Sequence, residues 1–550
     1  MVKLPQKIVA VVGKTSRTLF KNAGEVEVIS CPAEIRWIRS EKQENGIVLS
    51  FEGISKGRGT VCICADGRNF KIQCAVFEQK EFFLSMVISS NYHVGLDPEN
   101  CIRGCEREEL HNVAGHGFFK TCRTLEPVYH KHQVPVTWLI DSKVAQDGKK
   151  ELESFHEKYG DDYGFMPSSY FHHNPRNYNL QKSEEEVYEF VRKGLSELES
   201  CFDSYSNLIG VDQWVGSVGS RFVKAAERLG LHGIWGMGFD HYTCDSSMFH
   251  RGCPWDAYKP DRDNIKIPCR YPSSLWAFQW TTRDIINSVH TPEGKSSGSV
   301  IFSTDPDDIR SMGIMENQEN YFEKMLRNYK KSMQDSKFFV FLVHQEDHES
   351  HIAQDNEYLD HFLQQVSGEV TFATLYEIAE WLNIVYTPEE NACQALYVED
   401  PLECPDQVRW QRKGICKPEN WGHFMPHCAF YDNMCQVLAE KPSRTPLRVF
   451  DYGKNYPIKE VDSYPEESYG TVELISEKYE DGVYTAVIHS ESEETGFPLV
   501  VWEAPWEKCV DTNYKVVVTD HYTLLFLPLK SGENRIVCRF EGEKKHFGNI

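Results

Sequence analysis

The sequence predicts an α/β protein in which a central (β/α)7–8 barrel is flanked by two small β-sandwiches. Three observations lead there. Between Phe82 and Phe372 short apolar runs alternate with helical patterns, the rhythm of parallel βα units. On either side lie short β-rich pieces separated by turn residues. The run Phe338–Val343 is apolar throughout, as in a strand buried on both faces of a parallel sheet, and it leads straight into His344-Gln345-Glu346. A chain of 550 residues has room for this, because single cores rarely grow beyond roughly 250–300 residues.

The N-terminal part, residues 1–80, contains the candidate strands Val26–Ser30, Ile47–Phe51, Thr60–Ile63 and Phe70–Val76. Their number and spacing suggest an immunoglobulin-like β-sandwich. The barrel is expected over residues 81–385. Its strands are Phe82–Ser90, Val134–Ile140, Tyr163–Met166, Leu208–Val211, Gly233–Met237, Val300–Ser303, Phe338–Val343 and Val370–Phe372. Ser183-Glu-Glu-Glu186 has the form of a capping box and opens a helix reaching about Phe202. Further helices are expected over Ser220–Leu229, Tyr321–Met333 and Thr374–Leu382, the first stopped by Gly230. Residues 386–460 form a long connecting segment containing Cys, Pro and Trp, and residues 461–550 read as the C-terminal β-sandwich.

Composition narrows the function classes. With 41% hydrophobic and 13% aromatic residues the chain is an ordinary globular protein. A formal net charge of −23 argues against nucleic-acid binding, which needs clustered Lys and Arg. No stretch approaches the ~18 apolar residues that span a membrane, and Ile8–Val12 is too short for a signal-peptide core. The 18 cysteines are scattered, so reduced thiols and a cytoplasmic location are expected.

In barrels and open α/β sheets the carboxyl ends of the strands carry the chemistry. The first candidate strand leads to His93, the second to Asp141, the third to His172 and His173, and the fourth to Asp212 and Trp214. The fifth leads to Asp240 and His241, after Gly236-Met-Gly238, where glycines permit a sharp turn. Phe338–Val343 leads to His344 and Glu346. This inventory suits a divalent ion on imidazole and carboxylate ligands. It equally suits metal-free acid/base work by two carboxylates. Asp141 precedes Ser142 and is also placed to cap a helix. Arg251–Pro260 reads as a loop over the barrel mouth, with Trp255 and Tyr258 as stacking faces and Asp256 as a hydroxyl acceptor.

The order of segments resembles the polysaccharide deacetylase (NodB-homology) family and the wider glycoside hydrolase/deacetylase superfamily. Phe82–Asn91, Val134-Pro-Val-Thr-Trp-Leu-Ile-Asp141, Gly219–Gly230 and Phe338–His344 carry the resemblance, over roughly 300 residues. It implies a barrel acting on carbohydrate, a histidine at position 344 beside the reaction centre, and a divalent metal such as zinc. Three departures stand against the family's pattern. Its adjacent carboxylates after the first strand are replaced by Ser89-Ser90-Asn91. Its paired histidines are missing near Gly164–Met166, and its Arg-Pro pair gives way to Trp214–Ser217. The expectation is therefore a carbohydrate-active hydrolase, deacetylase-like or glycosidic. Catalysis falls to His344, Asp240, Asp141 and Asp212; Trp255, Asp256, Tyr258, Trp214 and Glu346 bind substrate; His93, His172 and His241 are candidate metal ligands. The alternative is a catalytically inactive glycan-binding protein on the same barrel.

Overall fold

The computed structural model describes residues 2–89, 128–166, 183–211, 215–237, 255–262, 269, 271–282, 303–311, 314–317, 319–334, 336–346, 352–390, 393–395, 472–490, 493–501, 508–511, 514–518 and 523–541. Its largest element is a ten-stranded sheet. Seven strands lie parallel in the spatial order Phe338–Glu346, Glu81–Ser89, Val136–Ile140, Asp162–Phe165, Leu208–Gly210, Gly233–Met237 and Trp276–Gln279. Trp255–Tyr258 and then Cys393–Ala395 continue the sheet antiparallel, and the short strand Thr371–Phe372 pairs beside Glu81–Ser89.

The expected (β/α) barrel, regular or distorted, is an open sheet among the described residues. The rim strand Phe338–Glu346 meets the far end of the sheet through individual bonds rather than a ladder. Val340 N–H donates to Asp256 Oδ2 at 2.9 Å, and Thr282 N–H donates to the Leu342 carbonyl at 3.1 Å. Of the expected strand Val300–Ser303 only Ser303 is described.

Strand alternation sorts the residues into two cores. Phe339, Phe341 and Val343 face outward with Leu84, Met86, Trp138 and the flanking helices. Phe338, Val340 and Leu342 face inward with Phe83, Val87, Leu139, Trp235, Trp276, Phe278 and Trp280. Inward glycines make room for these rings: a Cβ on Gly210 would sit 2.6 Å from Met166 Sδ, and one on Gly233 2.7 Å from Leu208 Cδ1. At the end where the strands begin, helix Leu375–Val385 seals the inner face with Leu375, Ile378, Trp381 and Leu382. Thr374 opens it with a capping box to Glu377. The expected capping box at Ser183 and Glu186 is present and starts helix Glu184–Ser200.

Before the large sheet stand a four-stranded and a three-stranded sheet, built from residues 7–77, that share one buried cluster including Ile8, Phe20, Leu49, Phe51, Ile63 and Ile72. After it a further four-stranded and three-stranded sheet run from Val472 to Glu541. The helix Ile352–Val366 and the strands Trp255–Tyr258 and Trp276–Gln279 are absent from the sequence-based expectation.

Candidate functional site

The inward alternation of Phe338–Glu346 continues past Leu342 to His344, and that of Glu81–Ser89 continues past Val87 to Ser89. At this end of the inner face the apolar series stops and polar side chains take over. His344 and Ser89 have no solvent exposure and Asp305 is 2% exposed. His344 Nδ1 lies 3.0 Å from Asp305 Oδ2, and His344 Nε2 lies 2.8 Å from Ser89 Oγ. With Nδ1–H donating to the carboxylate, Nε2 carries the lone pair and accepts from the Ser89 hydroxyl.

The surroundings hold this arrangement in place. Thr304 Oγ1, next to Asp305, donates to the Leu342 carbonyl, lies 3.2 Å from the Thr282 carbonyl and accepts from Thr282 N–H at 3.0 Å. Ser303 Oγ accepts the Asp305 N–H at 3.0 Å. Trp280 and Trp235 pack against the imidazole, with ring centroids 4.2 and 5.1 Å away, and stack on each other at 4.5 Å. The Trp235 Nε1–H is buried without an acceptor among the described residues, a group whose desolvation typically costs about 1–3 kcal/mol. Beside it Gly236 takes φ 98°, where the register shifts between Trp235 and Met237. Gly236 thus sits at an irregularity within the strand Gly233–Met237, a backbone conformation that glycine permits.

The remaining candidates divide. Asp141 is partly buried at the end of Val136–Ile140, and its Oδ1 accepts the Val144 N–H at 2.9 Å, the bond of a helix cap on Ser142–Asp147. The loop expected over Arg251–Pro260 is corrected: Trp255–Tyr258 is a strand, paired on both sides. Asp256 and Tyr258 are each 2% exposed, so they stand in the sheet and not at an open mouth. Burial pushes the Asp256 carboxyl up to about 8, against hydrogen bonds from the Val340 and Ala257 backbone that lower it. Trp255 and Glu346 occupy their strands, with Glu346 in register opposite Ser89. Asp212, Trp214, Asp240, His93, His172 and His241 lie outside the described residues, as does the cysteine- and histidine-containing segment 404–435.

Among the described residues no three His, Cys, Asp or Glu side chains converge as a metal site requires. Both ring nitrogens of His344 are engaged. The described residues therefore do not themselves fit a metal.

Sequence reasoning missed Asp305, Ser89 and Trp235. Asp305 stands two residues beyond the expected end of Val300–Ser303, so following that strand outward would have found it. Ser89 was visible only as a missing carboxylate.

What the arrangement can do follows from its parts. An imidazole oriented by a carboxylate, with its other nitrogen on a hydroxyl in a water-poor layer, is equipped to take and return a proton.

No protein-family model matches the chain, and no curated protein matches it. Comparison with solved structures finds similar chains at low identity and low TM-score. The chain is similar to a protein assigned as a polysaccharide deacetylase from Mycobacterium smegmatis, at 13% identity and TM-score 0.35, covering 55% of this chain and 90% of that one. A counterpart from Pseudomonas aeruginosa PAO1 gives 12% identity and TM-score 0.36, covering 56% and 92%. A CE4-family pseudoenzyme from Bacillus anthracis gives 9% identity and TM-score 0.29, covering 55% and 67%. At these identities and scores the functional reading rests on the strand-end side chains.

Proposed function

We propose that the chain is a carbohydrate-active hydrolase that removes acyl groups from a poly- or oligosaccharide at the carboxyl end of the parallel sheet. The observation that carries this reading is the buried His344–Asp305 pair on the inner face, where strands of such sheets present catalytic groups. His344 transfers the proton and Asp305 fixes its tautomer and stabilises its charged form. In this reading residues 81–385 are the catalytic barrel, 1–80 an immunoglobulin-like sandwich, 386–460 a connecting segment packed on the barrel, and 461–550 a second sandwich. The free thiols of Cys31, Cys62, Cys64, Cys74, Cys201, Cys269 and Cys538 support a reducing, cytoplasmic setting.

The reading has a metal-assisted form, with His93, His172 and His241 as ligands, and a glycosidic form, with Asp240 and either Asp212 or Asp141 as the carboxylate pair. Acyl transfer is favoured over the glycosidic form because Asp141 already serves a helix cap. The substitution of Ser89-Ser90-Asn91 for a carboxylate pair favours one rival, an inactive glycan-binding protein.

The test is acetate release from a panel of acetylated oligosaccharides by wild type and Asp305→Asn, with metal content measured in the same preparations. Release that falls about 10²-fold or more in Asp305→Asn supports the reading. Saccharide binding without release by any preparation supports the rival. Loss of release on chelation, restored by zinc, supports the metal-assisted form.

A further inference from the structure

Ser89 does more than fill the space of a lost carboxylate. Its Oγ is 2.8 Å from His344 Nε2, while the opposite ring nitrogen is 3.0 Å from Asp305 Oδ2. Nucleophile, base and orienting carboxylate thus stand in sequence, within the distances that such a relay requires. The three residues come from separate places in the chain, at 89, 305 and 344, and meet only through the sheet topology. A serine that merely satisfied the imidazole would not explain the buried Trp235 Nε1–H, a donor without an acceptor among the described residues in the same layer. An acyl oxygen that becomes negative at that layer would supply the acceptor.

We infer that Ser89 is the nucleophile of a covalent acyl-transfer cycle, with an O-acyl ester of a carbohydrate as substrate. The inference rests on the hydrolase reading above. In the first half, Ser89 Oγ bonds to the acyl carbon and its proton passes to His344 Nε2. The tetrahedral centre collapses, the bond from acyl carbon to sugar oxygen breaks, and His344 returns the proton to that oxygen, releasing the sugar alcohol. In the second half, water adds to the acyl-serine and loses a proton to His344 Nε2. The bond to Ser89 Oγ breaks, Oγ recovers the proton, and the carboxylic acid leaves. No oxidant or reductant enters. An ester is preferred to an amide because a sugar alkoxide leaves more readily than an amine. Ser89 is fully buried, so acylation requires local opening of the site.

The test uses the full chain with chelator present. The probes are a small alkyl fluorophosphonate, read by intact mass and peptide mapping, and 4-nitrophenyl acetate, read for a pre-steady-state burst. The expected result is one adduct on Ser89, absent in His344→Gln, and a burst approaching one equivalent per chain. Acetyl-oligosaccharide hydrolysis falls by about 10³-fold or more in Ser89→Ala. Ser89→Cys keeps the size and a nucleophile; it is expected to acylate and then turn over slowly, which separates loss of chemistry from loss of fold. Hydrolysis that persists within about threefold in Ser89→Ala, without an adduct or a burst, overturns the nucleophile and leaves the hydrolase reading standing. An adduct and burst at Ser89 with no saccharide ester cleaved supports the nucleophile and overturns the carbohydrate substrate.

Discussion

The inner face of the sheet is polar and buried at both ends, and the two ends are built differently. Where the strands begin, Lys7 Nζ lies 2.7 Å from Asp162 Oδ2 and 2.9 Å from Glu377 Oε1, all three side chains fully buried. Arg58 also pairs with Glu377, and Thr374 Oγ1 donates to Asp162. Two cations face two carboxylates across the N-terminal sheets, the large sheet and the sealing helix. Where the strands end, His344 meets the Asp305 carboxylate on one nitrogen and a neutral hydroxyl on the other among the described residues. The first cluster balances fixed charges, and any proton movement there would leave a charge uncompensated. The second has an imidazole, able to carry a proton on either nitrogen, and a hydroxyl able to hand it one. Burial alone therefore does not mark a site; the exchangeable proton does.

If the strand-end cluster is the reactive one, His344→Gln lowers acyl hydrolysis by about 10²–10⁴-fold while Gln retains hydrogen-bonding capacity. Steady-state rates on a chain of verified fold check this. Breaking the opposite cluster should act on stability. Lys7→Met leaves Asp162 and Glu377 short of a buried counter-charge and is expected to cost about 3–5 kcal/mol, read by denaturant unfolding.

The Glu377 carboxyl gives that end a pH signature. Burial pushes it up, but Arg58 and Lys7 outweigh burial and hold it below the usual carboxylate range, at about 2. A depressed carboxyl contributes its stability above its unfolded value and loses it as pH falls toward the folded one. Thermal unfolding of wild type should therefore weaken from about pH 4.5 downward, and less steeply in Glu377→Gln, which is destabilised at neutral pH.

Asp256, at the seam between rim strands, carries the opposite sign. Its carboxyl is raised from 3.8 to about 8, so its contribution is fully present below about pH 4 and is lost as pH rises to about 8. Asp256→Asn should gain stability relative to wild type across that window, by at least about 1 kcal/mol at its upper end. Parallel pH profiles for the two proteins would contradict it. The smallest effect is at Asp141: Asp141→Ala should lose about 1 kcal/mol of stability and Asp141→Asn almost none, since Asn caps as well. Hydrolysis should stay within about twofold in both.

The parallel strands were legible in the sequence because burial on both faces writes continuous apolar runs, as in Phe338–Val343 and Gly233–Met237. Trp276–Gln279 escaped because a four-residue strand carries little alternation to read; its inward rings, Trp276 and Phe278, are core. Helix Ile352–Val366 was hidden behind the charged stretch that follows His344. His344 was legible because it adjoins an unmistakable strand. Its partners were not, since Ser89 and Asp305 lie 255 and 39 residues away and topology alone joins them. Lys7 stayed invisible for the same reason: a lysine beside an apolar run looks like a solvated strand start until its carboxylates arrive from positions 162 and 377.

The most direct measurement is kcat/KM for acetyl release from an acetylated oligosaccharide by wild type, His344→Gln and Lys7→Met, compared at a temperature where all three are folded. The account predicts a loss of about 10²-fold or more in His344→Gln and a near wild-type value in Lys7→Met. Equal rates in His344→Gln and wild type would contradict it.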